Sequence, residues 1–219
     1  HVDLCTPEEH LESKDKIDIL EFIKNLKTIN AEASIITLNY TRTIDHFFST
    51  KNLRELKINT NGRDYRIKSL YHLHGYTNSN VILGVNDISQ IKNIDFQNDS
   101  EFINMYIKRE SNNLLKHNIE NQCYRLIEKA NIISLFGCSL GLTDKYIWEL
   151  IGKRIKDGAK VIIFKTANNI NNRSIRSQVK SRNSIISHFL ELASSPDNDL
   201  KDFKENVKVS FGSGIFKFK

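Results

Sequence analysis

Residues 131–165 constrain the fold more than any other stretch. They run NIISLFG, then a turn, then TDKYIWELIGKRIKDG, then AKVIIFK. The outer pieces are short β-branched runs without polar alternation, the pattern of strands buried on both faces. The middle piece repeats apolar residues at helical spacing through Ile147, Leu150, Ile151 and Ile155, and Gly158 suits its C-terminal cap. Strand, helix and strand in that order imply a βαβ unit with a right-handed crossover. The expected class is therefore α/β, with three layers: a mostly parallel sheet and helices on both faces.

The rest of the chain fits this frame. A helix is expected over 8–28, with Ile17, Leu20, Ile23 and Leu26 as its stripe, Pro7 in the first turn and Thr6 as cap. Strands are expected at 33–40, 65–75 and 80–85, and a short helix at 43–50. Residues 51–65 read as polar with a turn at NTNGRDY, and 86–99 as loop. Helices are expected over 100–129 and 173–194, and one or two edge strands from Val207 onward. Residues 1–219 read as one α/β domain, with 76–130 as a helical insertion.

Composition narrows the function classes. Three separated cysteines, Cys5, Cys123 and Cys138, form no CxxC, which argues against a disulfide framework and a cysteine zinc site. The same cysteine usage makes a reducing cytoplasm the expected compartment; no apolar run approaches the roughly 20 residues that span a bilayer, and residues 1–20 show no signal-peptide core. Residues 1–110 hold 14 basic and 16 acidic side chains, whereas 111–219 hold 18 and 10. The basic half could attract phosphates. Its basic residues are dispersed with few aromatics among them, so a solvated surface is the stronger reading and nucleic acid the weaker.

Ligands of α/β sheets gather at the C-terminal strand ends. Three polar clusters fall there: TLNYTR with Asn39, HLHG with His74, and FGCSLGLTD with Gly137, Ser139 and Asp144. A strand-end glycine lets a ligand approach the backbone, and the following helix N-terminus favours an anion. The plainer alternative is a strand–helix turn capped by Thr143 or Asp144. His72 and His74 would share a strand face, but no further residues complete a metal-ligand spacing, and no metal is expected. His74 beside Gly75 suits a base or hydrogen-bond donor, and the alternative is a satisfied polar residue at the sheet edge.

Together TLNYTRTID, HLHG, FGCSLGLTDKYIWELI and the later VIIFKTANNINNRSIRSQVKSRN resemble the AbiH-like abortive-infection family of bacterial phage-defence proteins, over about residues 33–190. That family is distantly similar to sirtuins and sirtuin-like NAD hydrolases. The likeness implies a Rossmann-like core and a small-molecule nucleotide, NAD+, as ligand or substrate. By it Thr37-Leu38-Asn39 matches Thr-x-Asn, His74-Gly75 matches the catalytic His-Gly, and Gly137-Cys138-Ser139 matches Gly-x-Ser. Asn39 and His74 would be catalytic. Thr37, Gly75, Gly137, Ser139 and Asp144 would line the cofactor. A phage trigger protein and further copies of the chain are the implied partners.

Three departures shape the expectation. The sirtuin Asp is Thr41 here, so its role is lost or moved to Asp45. The four-cysteine zinc module is absent, which argues against deacetylation. Residues 1–32 contain no glycine, so the opening strand and its Gly-rich pyrophosphate turn are expected to be missing, either from a fragment of a longer protein or from a member that lost the loop. Two readings stay open: a defence enzyme cleaving NAD+ or another nucleotide, and a non-enzymatic sensor or interaction module with a degenerate site.

Overall fold

The computed structural model describes residues 5–26, 30–50, 57–60, 63–77, 79, 81–114, 118–166 and 174–213. The expected second edge strand at 214–219 and residues 61–62 of the expected turn lie outside them. The chain is α/β, and among the described residues its strands form two sheets.

The first sheet holds β1 (Asn30–Thr37), β2 (Lys57–Thr60) and β3 (Arg63–His72) in the order β1-β3-β2. β1 and β3 are parallel, and β2 is antiparallel to β3. The second holds β4 (Ile132–Phe136), β5 (Lys160–Lys165) and β6 (Val207–Phe211), all parallel, in the order β4-β5-β6. The βαβ unit of 131–165 is thus present, with α7 (Lys145–Lys156) as its crossover helix. The other α-helices among the described residues are α1 (Ser13–Asn25), α2 (Thr43–Thr50), α3 (Ile94–Gln97), α4 (Ser100–Tyr106), α5 (Lys108–Leu114), α6 (Ile119–Lys129) and α8 (Ile175–Ala193).

The central strand β5 shows why the second sheet needs helices on both faces. Side chains alternate across a strand. Val161 and Ile163 join Val207 and Val209 in a core shared with Trp148, Ile151 and Phe189 of α7 and α8. Ile162 and Phe164 point the other way, against Ile19 and Ile23 of α1. The α1 stripe is therefore Ile19 and Ile23, whereas the expected Ile17 is 56% exposed. Gly152 is the contact point of α7 and α8: a Cβ there would stand 2.2 Å from the Ala193 carbonyl oxygen. The first sheet packs α2 through Phe48, Tyr65 and Ile67. Its Ile36, Leu38 and Tyr71 reach the main core of the second.

Four expectations change. Thr6 makes no side-chain cap bond to the turn Pro7–His10. Of the strand expected at 80–85, the described residues 81–85 form none: Ile82 N–H donates to the His74 carbonyl and Val85 makes an isolated bridge to Ile107. The loop expected at 86–99 holds the helix α3. β2 lies in a stretch read as polar turn, because Lys57–Thr60 pairs with β3 through the backbone and needs no apolar pattern to do so.

The charge asymmetry is partly neutralised within the fold. Lys208, 6% exposed, pairs with Asp18 at 2.9 Å and Asp15 at 3.5 Å of α1. Arg182 of α8 pairs with Glu12. Basic side chains of the second half thus meet carboxylates of the first, which weakens the case for a free phosphate-binding face. Among the described residues no helix is long and apolar enough to cross a membrane.

Candidate functional site

β3 ends at His72, so strand alternation stops there and His74 lies in the turn that follows. The two histidines consequently meet different partners. His74 is 2% exposed, and its Nε2 stands 2.8 Å from Asp144 Oδ1. Lys108 Nζ donates to the same Oδ1 at 2.6 Å and to the Thr143 carbonyl at 3.2 Å, and lies 3.4 Å from His74 Nε2. Lys108 is itself 4% exposed. A buried ammonium of this kind is tolerable only when paired and hydrogen-bonded.

Asp144 precedes α7 but makes no side-chain cap bond to it. Its carboxylate turns instead to His74 and Lys108. Burial pushes its pKa up, but hydrogen bonds from His74 and Lys108, with their charges, outweigh that and hold it at about 2. The capping reading of Asp144 is therefore corrected: its carboxylate is taken up by His74 and Lys108.

His72 faces the turn after β1. Its Nε2 contacts Asp45 Oδ2 at 2.5 Å and its Nδ1 lies 3.3 Å from the Asn39 carbonyl. Its ring meets Tyr76 edge-on at 5.2 Å, and the Arg42 guanidinium lies 4.3 Å over the Tyr76 ring. Asp45, expected as a substitute for the carboxylate missing at Thr41, is thus engaged by His72.

Asn39 is exposed in this turn, and its N–H donates to Thr37 Oγ1 at 3.1 Å. Thr37, the last residue of β1, is buried. Tyr40 links the turn to the His74 cluster. Its hydroxyl donates to the Ile82 carbonyl at 3.1 Å and its ring centroid is 6.3 Å from that of His74. Burial first, and then the charge of Asp144, raise its pKa.

Gly75 is buried with a φ of 70°. Gly137 and Ser139 are exposed on the turn after β4, and a Cβ at Gly137 would meet nothing within 4 Å. That turn is held by Trp148 Nε1, which donates to the Gly141 carbonyl at 2.8 Å, and by Lys165 Nζ, which donates to the Cys138 carbonyl at 3.2 Å.

Of the residues read from the sequence, His74 and Asp144 touch, across 70 positions. Asn39 belongs to the neighbouring His72–Asp45 group, and Gly137 and Ser139 are exposed on the turn between β4 and Asp144. Lys108 and Tyr40 were not anticipated. Tyr40 could have been noticed beside Asn39, but Lys108 is one lysine in a long helical stretch and carries no local signal. Among the described residues no group of three or more His, Cys, Asp or Glu is placed to hold a metal ion.

A family described as "Bacteriophage abortive infection AbiH" matches residues 4–165. No curated protein and no solved structure matches the chain.

Proposed function

Because this chain belongs to the bacteriophage abortive infection AbiH family, we propose that it is a phage-defence protein whose α/β core binds and cleaves a nucleotide, with NAD+ as the substrate to test first. One observation supports this most: His74, in the turn just beyond the C-terminal end of β3, is held by Asp144 at the head of α7. Strand ends of this kind are where α/β sheets carry their ligands. The reaction is a hydrolysis. Water oxygen bonds to C1′ of the nicotinamide ribose, the C1′–N bond breaks with its electron pair going to nicotinamide, and a proton is released.

In this reading His74 is the base and Asn39, exposed on the β1–α2 turn, orients the water or ribose. The Gly137-x-Ser139 turn, open above Gly137, receives the ribose and phosphates of the adenine side. Thr37 and Gly75 shape the two strand ends.

A second reading is a sensor that binds the nucleotide without cleaving it. It is favoured by Thr41, which supplies no carboxylate, and by the enclosure of His74.

Nicotinamide release from NAD+ by the protein, with and without a phage extract as trigger, tests both. The expected result is release by wild type, lowered roughly 10²–10⁴-fold by His74→Ala and also lowered by Asn39→Ala. Equal release by all three, or none under either condition, refutes cleavage. A melting temperature raised by NAD+ or ADP-ribose without release would select the sensor.

A further inference from the structure

The structure assigns Nδ1 of His74 as the nitrogen that takes up the proton, and Lys108 and Asp144 as the positioning pair that leaves it free; this rests on the reading of His74 as a base. The geometry around Nε2 carries the first half. Asp144 Oδ1 is 2.8 Å from Nε2 and accepts from Lys108 Nζ at 2.6 Å. An ionised carboxylate only accepts, so Nε2 must carry hydrogen; a lone pair there would face the lone pairs of the oxygen. Asp144, held at about 2, is ionised at neutral pH. The 3.4 Å between Lys108 Nζ and Nε2 fits two donors sharing one acceptor. In the neutral ring the lone pair therefore falls on Nδ1.

The second half is the state of Nδ1. It is buried and has no hydrogen-bond partner among the described residues. Buried polar atoms without partners are rare, and each has a cost that calls for an explanation. An acceptor kept for a ligand's O–H is such an explanation, and the ligand class it selects is water or a ribose hydroxyl. With water as that O–H, the proton passes to Nδ1 while the oxygen's electron pair forms the bond to C1′ and the C1′–N bond breaks, its electron pair leaving with nicotinamide.

Lys108 is delivered by a pinned excursion of the chain. Val85 N–H donates to the Tyr106 carbonyl at 2.9 Å and Lys108 N–H to the Val85 carbonyl at 3.0 Å. Gly84, with φ of 151°, allows this closure, since a Cβ would lie 2.0 Å from the Tyr106 oxygen. The helical stretch between Val85 and Lys108 thus closes at its base and sets the ammonium against Asp144.

Long-range 15N–1H correlation spectra of histidine-labelled protein at neutral pH test this directly. The expected result is hydrogen on Nε2 of His74 and a lone pair on Nδ1. Asp144→Asn should mix the two tautomers, because an amide can face Nε2 with either its oxygen or its NH₂ group. Lys108→Met should lower kcat for NAD+ roughly tenfold or more with little change in KM, and Lys108→Arg should regain most of it. Hydrogen on Nδ1 in wild type overturns the assignment, and the wild-type spectrum decides it even if a variant fails to fold. An unchanged kcat in Lys108→Met overturns the part given to Lys108. The expected spectra without any NAD+ cleavage would uphold the assigned nitrogen and refute the proposed substrate.

Discussion

His72 and His74 stand two positions apart, yet they occupy opposite kinds of surroundings. His72 is engaged at both ring nitrogens by one turn, residues 39–45, through a carboxylate that is 29% exposed. His74 is held at one nitrogen by charges from two distant elements, and its other nitrogen has no hydrogen-bond partner among the described residues. The first arrangement ties β3 to β1. The second joins the turn after β3, the start of α5 and the head of α7 at one buried point. Spacing in sequence therefore says little about whether a histidine is structural or chemical. The number of its nitrogens already satisfied says more.

The comparison breaks most sharply at Asp144. Asp144→Ala strands the Lys108 ammonium, so it should cost roughly 3–5 kcal/mol, the range for removing one partner of a buried pair. Urea unfolding followed by the fluorescence of Trp148, the sole tryptophan, measures it. A loss below about 1 kcal/mol would place the pair among exposed ones.

Acid should find the same carboxylate. Its pKa is lowered from 3.8 to about 2, so its stabilisation is fully present above the unfolded value and is lost as pH falls from about 4 to about 2. The expected loss is about 2 kcal/mol. It should vanish in Asp144→Asn, as unfolding curves at stepped pH would show.

The smallest effect belongs to the other histidine. Asp45→Asn keeps an acceptor for His72 beside solvent and should cost about 1 kcal/mol or less. It should leave the His74 tautomer unchanged. A cost matching that of Asp144→Ala would erase the distinction between the two pockets.

Much of this architecture is legible along the chain. AKVIIFK becomes β5 because its apolar run is buried on both faces in the middle of the second sheet, and NIISLFG becomes its neighbour β4, which is less buried. TDKYIWELIGKRIKDG becomes the crossover helix for the same reason at helical period. β2 escaped notice because backbone pairing with β3 forms it, and its polar residues carry no pattern. Ile17 misled because helical spacing alone does not say which side of α1 meets the sheet. Asp144 misled in another way: a carboxylate before a helix ordinarily caps it, and only the approach of a remote histidine and a remote lysine redirects it.

By itself the sequence determined the fold class, the βαβ unit and the strand ends at which polar residues would collect. Those are set by local periodicity, since burying an amphipathic or apolar segment needs only that some partner face exist. The tertiary structure alone decided that the strands divide between two sheets and that His74 meets Asp144 and Lys108. It also decided that His72 belongs to Asp45. These contacts span 27 to 70 positions. They depend on charge pairing inside a core whose shape no single segment contains.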